Sequence, residues 1–143
     1  LERMQPGLFV TIVYGVLDAA AQTFTYVRAG HERPLLLRDG STTLLRANGA
    51  AIGLLELDDV QLEEERINLL AGDRIVLYTD GLADALGVGD ESFGLPRLIN
   101  ALLTHRTSAL NEMCDAVFAA VAAHQGEREQ YDDMSLLAVE VSP

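Results

Sequence analysis

The stretch RIVLYTDGLADAL, residues 74–86, decides the fold because an apolar strand in it runs directly into an aspartate. RIVLY has the aliphatic and aromatic composition of a buried strand, and the residues after Asp80 are helix-like. A carboxylate where a strand ends is either a turn residue or a ligand for a cation. The choice between these two roles separates a structural aspartate from an enzymatic one.

Composition restricts the class of protein. The 143 residues suffice for one domain, 49% are hydrophobic, and no apolar run reaches the ~18 residues of a membrane span. A net charge of -12 repels phosphate backbones and argues against nucleic acid as a partner. The single cysteine, Cys114, excludes an internal disulfide and fits a reducing compartment. The chain shows no signal peptide and begins at Leu1, so we expect it to be trimmed or part of something longer.

Strand patterns dominate the first part of the chain and return at its end. LFVTIVYGVLD (8–18) is apolar on both alternating faces, which predicts a central strand covered on both sides. TFTYVRAG (23–30) is its predicted hairpin partner, and PLLLRDGSTTLLR (34–46) is a second hairpin with Asp-Gly in the turn. DVQLEEERINLL (59–70) predicts a strand with a charged outer side, and MSLLAVEV (134–141) predicts the last strand.

The later part of the chain has a helical period. GLPRLINALLTH (94–105) and TSALNEMCDAVFAAVAAH (107–124) each predict a helix. The predicted apolar stripes comprise Leu95, Leu98, Ile99, Leu102 and Leu103 in the first helix, and Leu110, Met113, Val117 and Val121 in the second. For the second helix we predict Ser108 as N-cap and Gly126 as the stop signal. Beside its stripe, Cys114 is predicted to pack in the core rather than to catalyse.

The element order gives the fold class. Strands, two helices and one last strand predict an α+β fold, with helices layered on a mostly antiparallel sheet. We find no repeats or linkers, so residues 1–143 are predicted to form a single domain.

Aspartates lie at the ends of two of the predicted strands. Asp80 ends one strand, and Asp132-Asp133 immediately precede the last one. Aspartates at strand ends can converge at one edge of a sheet, where they repel one another unless cations screen them. Mg²⁺ and Mn²⁺ prefer such oxygen ligands, and two ions ~4 Å apart can activate a water for phosphate-ester hydrolysis.

Structural roles remain open for each of these residues. Asp80-Gly81 could form only a turn, and Asp132-Asp133 could cap a helix or occupy a tight turn. For Asp84 we favour a first-turn helix residue at the positive end of the dipole. His31 could orient a ligand or phosphate, or hydrogen-bond within a loop, and we favour the loop.

Four segments together carry a family resemblance. LFVTIVYGVLD (8–18), TYVRAGHERPLLL (25–37), LAGDRIVLYTDGLADA (70–85) and QYDDMSLLAVEV (130–141) resemble, in order, the second half of a bacterial SpoIIE-like phosphatase domain. That group belongs to the PPM class of metal-dependent protein serine/threonine phosphatases. The short strings YTDG and DDMS are weak alone, whereas the ordered set covers nearly the whole chain.

The resemblance implies a fold and a site. The fold would be a mostly antiparallel β-sandwich flanked by helices in αββα layers, with two Mn²⁺ or Mg²⁺ ions at one end. Asp80 matches a family metal ligand and Asp132 the last ligand, whereas Asp133 is a weaker candidate. Gly81 would let the backbone pass close to the metal, and His31 would be a structural residue near the site.

The resemblance also implies a function. Family members typically remove phosphate from serine or threonine on a STAS-type anti-sigma-factor antagonist, which places the protein in cytoplasmic bacterial signalling and sigma factor regulation. The attacking group is a metal-activated water, so no protein nucleophile is needed. This agrees with the lack of a Cys-His or Ser-His-Asp pattern in the sequence.

The chain departs from the family pattern at its start. It lacks the family's first half, which carries an early acidic ligand and an aspartate that bridges both metals, and LERMQPG (1–7) is interpreted as the tail of a helix. We therefore expect the chain to be the C-terminal portion of a longer phosphatase. A complete chain of this length would bind metal weakly and expose strand edges to another chain, which leaves a homodimer open. The alternative function is a non-catalytic, PPM-like regulatory module that binds a partner protein.

Overall fold

A computed structural model describes residues 8–54 and 61–142 of the chain. They form two compact units: the first contains the described residues up to Arg33 together with those of 45–70, and the second contains 34–44 and 71–142. The elements have these bounds: β1 Ile12–Asp18, β2 Thr23–Ala29, β3 Leu35–Arg38, β4 Ser41–Leu44, β5 Glu64–Asn68, β6 Arg74–Tyr78, α1 Asp80–Ala83, α2 Gly94–Thr104, α3 Leu110–Gln125 and β7 Leu136–Glu140. The predicted α+β class, with antiparallel sheets and few helices, is confirmed. The helix predicted for residues 1–7 lies outside the described residues.

The first unit is built on a three-stranded antiparallel sheet in the order β1-β2-β5. The predicted first hairpin is confirmed, because Ile12 pairs with Ala29 and Asp18 pairs with Thr23. In β5, half-buried and exposed residues alternate, as expected for a strand with a charged outer side.

The prediction of a covered central strand at residues 8–18 is wrong. Within the described residues β1 pairs on one side with β2 and has no strand on the other, and it is mostly exposed. Tyr14 is 63% exposed and Val16 is 52% exposed. An apolar pattern predicts that burial is favourable but does not supply the covering element, and β1 is mostly exposed among the described residues.

A partly buried hydrogen-bond network connects the loop after β4 to this sheet. The hydroxyl of Tyr26 donates to Glu65 and accepts from the Ala47 N–H at 3.0 Å. Glu65 Oε2 also accepts from the N–H groups of Arg46 and Ala47 at 2.9 and 3.0 Å. Burial raises the pKa of Glu65, but the hydrogen bond from Tyr26 and the two N–H groups outweigh it, so the net pKa is lowered.

Tyr26→Phe is expected to lower the free energy of unfolding by about 1–2 kcal/mol and to reduce its dependence on alkaline pH. Burial, aided by the bond to Glu65, raises the pKa of Tyr26 from 10.0 to about 12. The folded state therefore holds the phenolic proton more tightly than the unfolded chain, so this contribution is fully present below pH 10 and is lost as the pH rises towards 12. Urea unfolding at a series of alkaline pH values measures the effect. Identical pH profiles for both proteins would contradict it.

The second unit contains a four-stranded antiparallel sheet in the order β4-β3-β6-β7. The predicted second hairpin is confirmed, since Leu35 pairs with Leu44 and Arg38 with Ser41. Asp39 and Gly40 have φ values of 50° and 74°, as the two central residues of a type I′ turn require. Arg38 and the buried Asp73 form an ion pair between β3 and the turn that leads into β6.

The helices supply the core of the second unit. Residues of β3, β6, α1, α2 and α3 form one hydrophobic cluster that includes Leu98, Leu102, Met113, Val117 and Val121. The predicted apolar stripes are therefore confirmed as buried for these five residues. Leu95, Ile99 and Leu110 are only partly buried. Gly126 ends α3 as predicted, with φ 61°. No described helix is long and apolar enough to cross a membrane.

Two details of α3 differ from or extend the prediction. Ala109, not Ser108, is the N-cap, and no side chain caps the helix. The carbonyl of Ser108 accepts a hydrogen bond of 2.7 Å from the Arg74 guanidinium. Cys114 is half-buried, and burial raises the pKa of its thiol, which agrees with packing rather than catalysis.

Candidate metal centre

The pairing of β6 with β7 determines where the predicted acidic residues lie. The two strands are antiparallel, with Tyr78 opposite Leu136, so the end of β6 lies beside the start of β7. The N–H of Thr79 continues the pairing by donating to the carbonyl of Ser135 at 3.1 Å. Asp80 and Asp132-Asp133 therefore lie on neighbouring segments at one end of this sheet.

Gly81 brings the two acidic segments into direct backbone contact. A Cβ atom at Gly81 would lie 2.5 Å from the carbonyl oxygen of Asp133 and 3.4 Å from the carbonyl carbon of Asp132. Gly81 is buried, lies in α1 and does not have a left-handed φ. A glycine is required here by the close approach of the Asp132-Asp133 backbone, rather than by a turn.

The residues after β6 form a short helix. Asp80 lies in the first turn of α1, and its Oδ1 accepts from the N–H of Gly81 at 3.0 Å. Asp80-Gly81 thus lies in one helical turn, which leaves the choice between a structural role and a metal ligand open. The first-turn position predicted for Asp84 is wrong, because Asp84 is the C-cap. Asp132-Asp133 lie in a loop after α3 has ended, and Asp132 Oδ1 accepts from the Asp133 N–H at 2.7 Å.

The three carboxylates lack a counter-charge within the described residues. All three side chains are exposed, and none forms a salt bridge there. By contrast, Asp73 and Glu140 on the same sheet each pair with an arginine. Neighbouring acidic segments without an internal cation favour binding of a cation from solution.

The carboxylate oxygens are suitable ligands for a hard divalent ion, but too few of them converge among the described residues to complete a site. Carboxylate oxygens are the ligands that Mg²⁺ and Mn²⁺ prefer, and the backbone contact at Gly81 holds the two acidic segments together. In the part of the chain that the structure describes, no three His, Cys, Asp or Glu side chains converge as a metal-binding group. The described residues thus form no complete metal centre by themselves, and cation binding by Asp80, Asp132 and Asp133 stays a prediction.

His31 is placed by local hydrogen bonds in the first unit. Its Nδ1 lies 3.1 Å from Thr11 Oγ1, and its carbonyl accepts from Arg28 at 2.7 Å. The favoured loop interpretation agrees with these bonds, and its place near the metal site stays a prediction. Arg28 is not predicted from the sequence as a residue that holds this loop. It also donates to the Ala47 carbonyl at 2.9 Å and to Asn48 Oδ1 at 2.8 Å.

Solved phosphatase structures share this fold. The SiaA-PP2C domain of Pseudomonas aeruginosa matches with a TM-score of 0.81 and 25% identity, over 92% of this chain and 52% of that one. The catalytic domain of the serine/threonine phosphatase PstP, solved in complex with two manganese ions, matches with a TM-score of 0.70 and 19% identity, over 96% of this chain and 61% of that one. The fold is that of the PPM-type phosphatases.

Sequence comparison gives the family. The family model described as Stage II sporulation protein E (SpoIIE) matches residues 1–142, and the chain belongs to this family. Protein IcfG from Synechocystis is 31% identical over 139 residues, which are 96% of this chain and 22% of that protein. Phosphoserine phosphatase RsbP from Bacillus subtilis is 27% identical over 135 residues, which are 93% of this chain and 31% of that protein. The chain thus spans less than a third of the length of these two relatives.

Proposed function

We propose that this chain is the C-terminal portion of the catalytic domain of a metal-dependent protein serine/threonine phosphatase. The observation that supports this most strongly is the contact between the Asp80 segment and the Asp132-Asp133 segment at Gly81. It joins two acidic segments that carry no internal counter-charge within the described residues. Membership of the SpoIIE family and the shared fold with PstP and its two manganese ions agree with this chemistry.

In the proposed mechanism Asp80 and Asp132 hold divalent cations, and Asp133 contributes more weakly. Mn²⁺ or Mg²⁺, when bound, supplies an activated water and positive charge for the phosphoryl oxygens. The chain's own contribution is orientation: the Gly81 N–H fixes one oxygen of Asp80, and the Asp133 N–H fixes one oxygen of Asp132. Each carboxylate then has its second oxygen without a hydrogen-bond partner among the described residues.

The proposed substrate is phosphoserine or phosphothreonine on a STAS-type anti-sigma-factor antagonist in the bacterial cytoplasm. Support comes from the SpoIIE family match and from the similarity to RsbP, a phosphoserine phosphatase. The net charge of -12 disfavours nucleic acid as a competing substrate.

One observation fits the proposed function and also the alternative, a non-catalytic module that binds a partner protein. The apolar side chains of β1 are exposed, with Ile12 at 41% and Leu17 at 46%, and the strand has an open edge among the described residues. Such a surface is suited to pairing with another chain, including a second copy. A binding module would not need the carboxylate of Asp80.

Asp80→Asn in the full-length natural protein is expected to lower Mn²⁺-dependent hydrolysis of p-nitrophenyl phosphate by at least about 100-fold, because it removes a metal-binding charge while conserving shape. The rate is measured against Mn²⁺ concentration. Asp84→Asn is the matched control, because Asp84 is an exposed aspartate at the C-cap of the same short helix. Equal rates for Asp80→Asn and wild type would remove Asp80 from the mechanism and favour the binding module.

A further inference from the structure

Thr79 lies between the end of β6 and the start of α1, and its carbonyl accepts a hydrogen bond from the helix. That carbonyl accepts from the N–H of Leu82 at 3.2 Å. In a regular antiparallel pair, two opposing residues exchange both N–H···O bonds. Here the Thr79 N–H donates to the Ser135 carbonyl at 3.1 Å, so the N–H of Ser135 needs another acceptor.

The hydroxyl of Thr79 takes the place of its carbonyl in the ladder. Thr79 Oγ1 accepts from the N–H of Ser135 at 2.9 Å. It donates its own hydrogen to the carbonyl of Asp133, also at 2.9 Å. A hydroxyl has one hydrogen to donate and lone pairs to accept with, so both bonds form at once. This one side chain therefore extends the pairing of β6 with β7 into the acidic segment.

We infer that Thr79 is a positioning residue that holds the Asp132-Asp133 segment against Asp80 for cation binding. The inference rests on the proposed function. The Asp133 carbonyl that accepts from Thr79 is also the atom that a Cβ at Gly81 would approach most closely. Thr79 and Gly81 thus determine the position of the same peptide group, one through a hydrogen bond and the other through the absence of a side chain. Residues that orient metal ligands without touching the metal typically change its affinity by about 10- to 100-fold when removed.

The inference depends on the hydroxyl and not on the shape of the side chain. Thr79→Val keeps the β-branched shape and removes the donor and the acceptor, whereas Thr79→Ser keeps the hydroxyl. Thr43→Val is a control on an exposed residue of β4, whose hydroxyl makes no hydrogen bond within the described residues. Comparing these variants separates loss of the hydrogen bonds from the general effect of a Thr→Val change in a sheet.

The test measures Mn²⁺ affinity by titration calorimetry and amide hydrogen exchange of metal-free protein, both on the full-length natural protein. We expect Thr79→Val to weaken Mn²⁺ binding by about tenfold or more and to accelerate exchange in the segment 132–135. Thr79→Ser is expected to restore most of both properties, and Thr43→Val to leave both unchanged.

Two results would overturn the inference, and Asp80→Asn then shows whether the proposed function falls with it. Wild-type Mn²⁺ affinity in Thr79→Val, even with faster exchange or a lower unfolding midpoint, would leave Thr79 with a purely structural role. Equal weakening by Thr43→Val would remove the specificity for this hydroxyl. If Asp80→Asn weakens Mn²⁺ binding while Thr79→Val does not, only the inference fails. Unchanged affinity in both variants would remove the proposed function as well.

Discussion

Gly81→Ala is expected to reduce Mn²⁺-dependent hydrolysis by the full-length natural protein at least about 100-fold. The added methyl group forces the backbone to move, and a displacement of this size misaligns reacting groups. The new Cβ would lie 2.5 Å from the carbonyl oxygen of Asp133, a distance that real Cβ contacts do not reach. The obstacle is backbone, so a side-chain rotation cannot relieve it. Either α1 or the Asp132-Asp133 segment must move, and both carry proposed ligands.

This result is measured as the rate of p-nitrophenyl phosphate hydrolysis against Mn²⁺ concentration, together with the free energy of unfolding. We expect a stability cost of about 1–3 kcal/mol for the overpacked contact. Gly81 does not have a left-handed φ, so alanine itself is conformationally acceptable there and the effect reports the contact alone.

Gly72→Ala is the matched control for Gly81→Ala. Gly72 lies in the turn before β6, has φ 86°, and an added Cβ would meet nothing within 4 Å. We expect it to lose about 1 kcal/mol of stability through backbone strain and to keep wild-type hydrolysis. Equal loss of hydrolysis in the two variants, or wild-type activity in Gly81→Ala, would contradict the proposed role of the Gly81 contact.

Leu102→Ala is expected to have the largest effect on stability, a loss of about 3–4 kcal/mol in the free energy of unfolding. Leu102 is completely buried in α2 and belongs to the cluster formed with α3 and the sheet of the second unit. Truncation leaves a cavity that surrounding backbone elements cannot fill without moving. Urea unfolding followed by far-UV circular dichroism measures the change.

Leu103→Ala tests whether this cost follows burial. Leu103 is the next residue in α2 and is only partly buried, so we expect a distinctly smaller loss. The sequence placed both leucines on one apolar stripe and could not rank them. A loss for Leu103→Ala as large as that for Leu102→Ala would contradict the observed packing of α2.

Local signals were sufficient to predict most elements of the fold. The Asp39-Gly40 pair predicted its hairpin because only residues that tolerate positive φ fit a two-residue turn. The helical periods predicted α2 and α3 because burial selects one face. The environment of β1 could not be predicted, because an apolar strand shows that burial is favourable but not which element covers it. The N-cap predicted at Ser108 is wrong by one residue, because the helix begins after Ala109 and no side chain caps it.

The candidate site was predictable in outline and not in detail. Asp80 and Asp132-Asp133 lie next to strands, so antiparallel pairing alone brings their segments to one end of a sheet. The contact of Gly81 and the two bonds of the Thr79 hydroxyl depend on the exact register of β6 and β7. Three helices and no hairpin turn connect β6 to β7, so turn residues do not fix the register of this pair.

Calorimetric titration of Mn²⁺ into the full-length natural protein tests most directly whether Asp80 and Asp132 hold one cation centre. The variants are Asp80→Asn, Asp132→Asn and the double variant. We expect each single change to weaken Mn²⁺ binding by at least about tenfold, and the double change to cost less than the sum of the two free energies, because both act on the same site. Wild-type Mn²⁺ affinity in both single variants would contradict a shared metal centre.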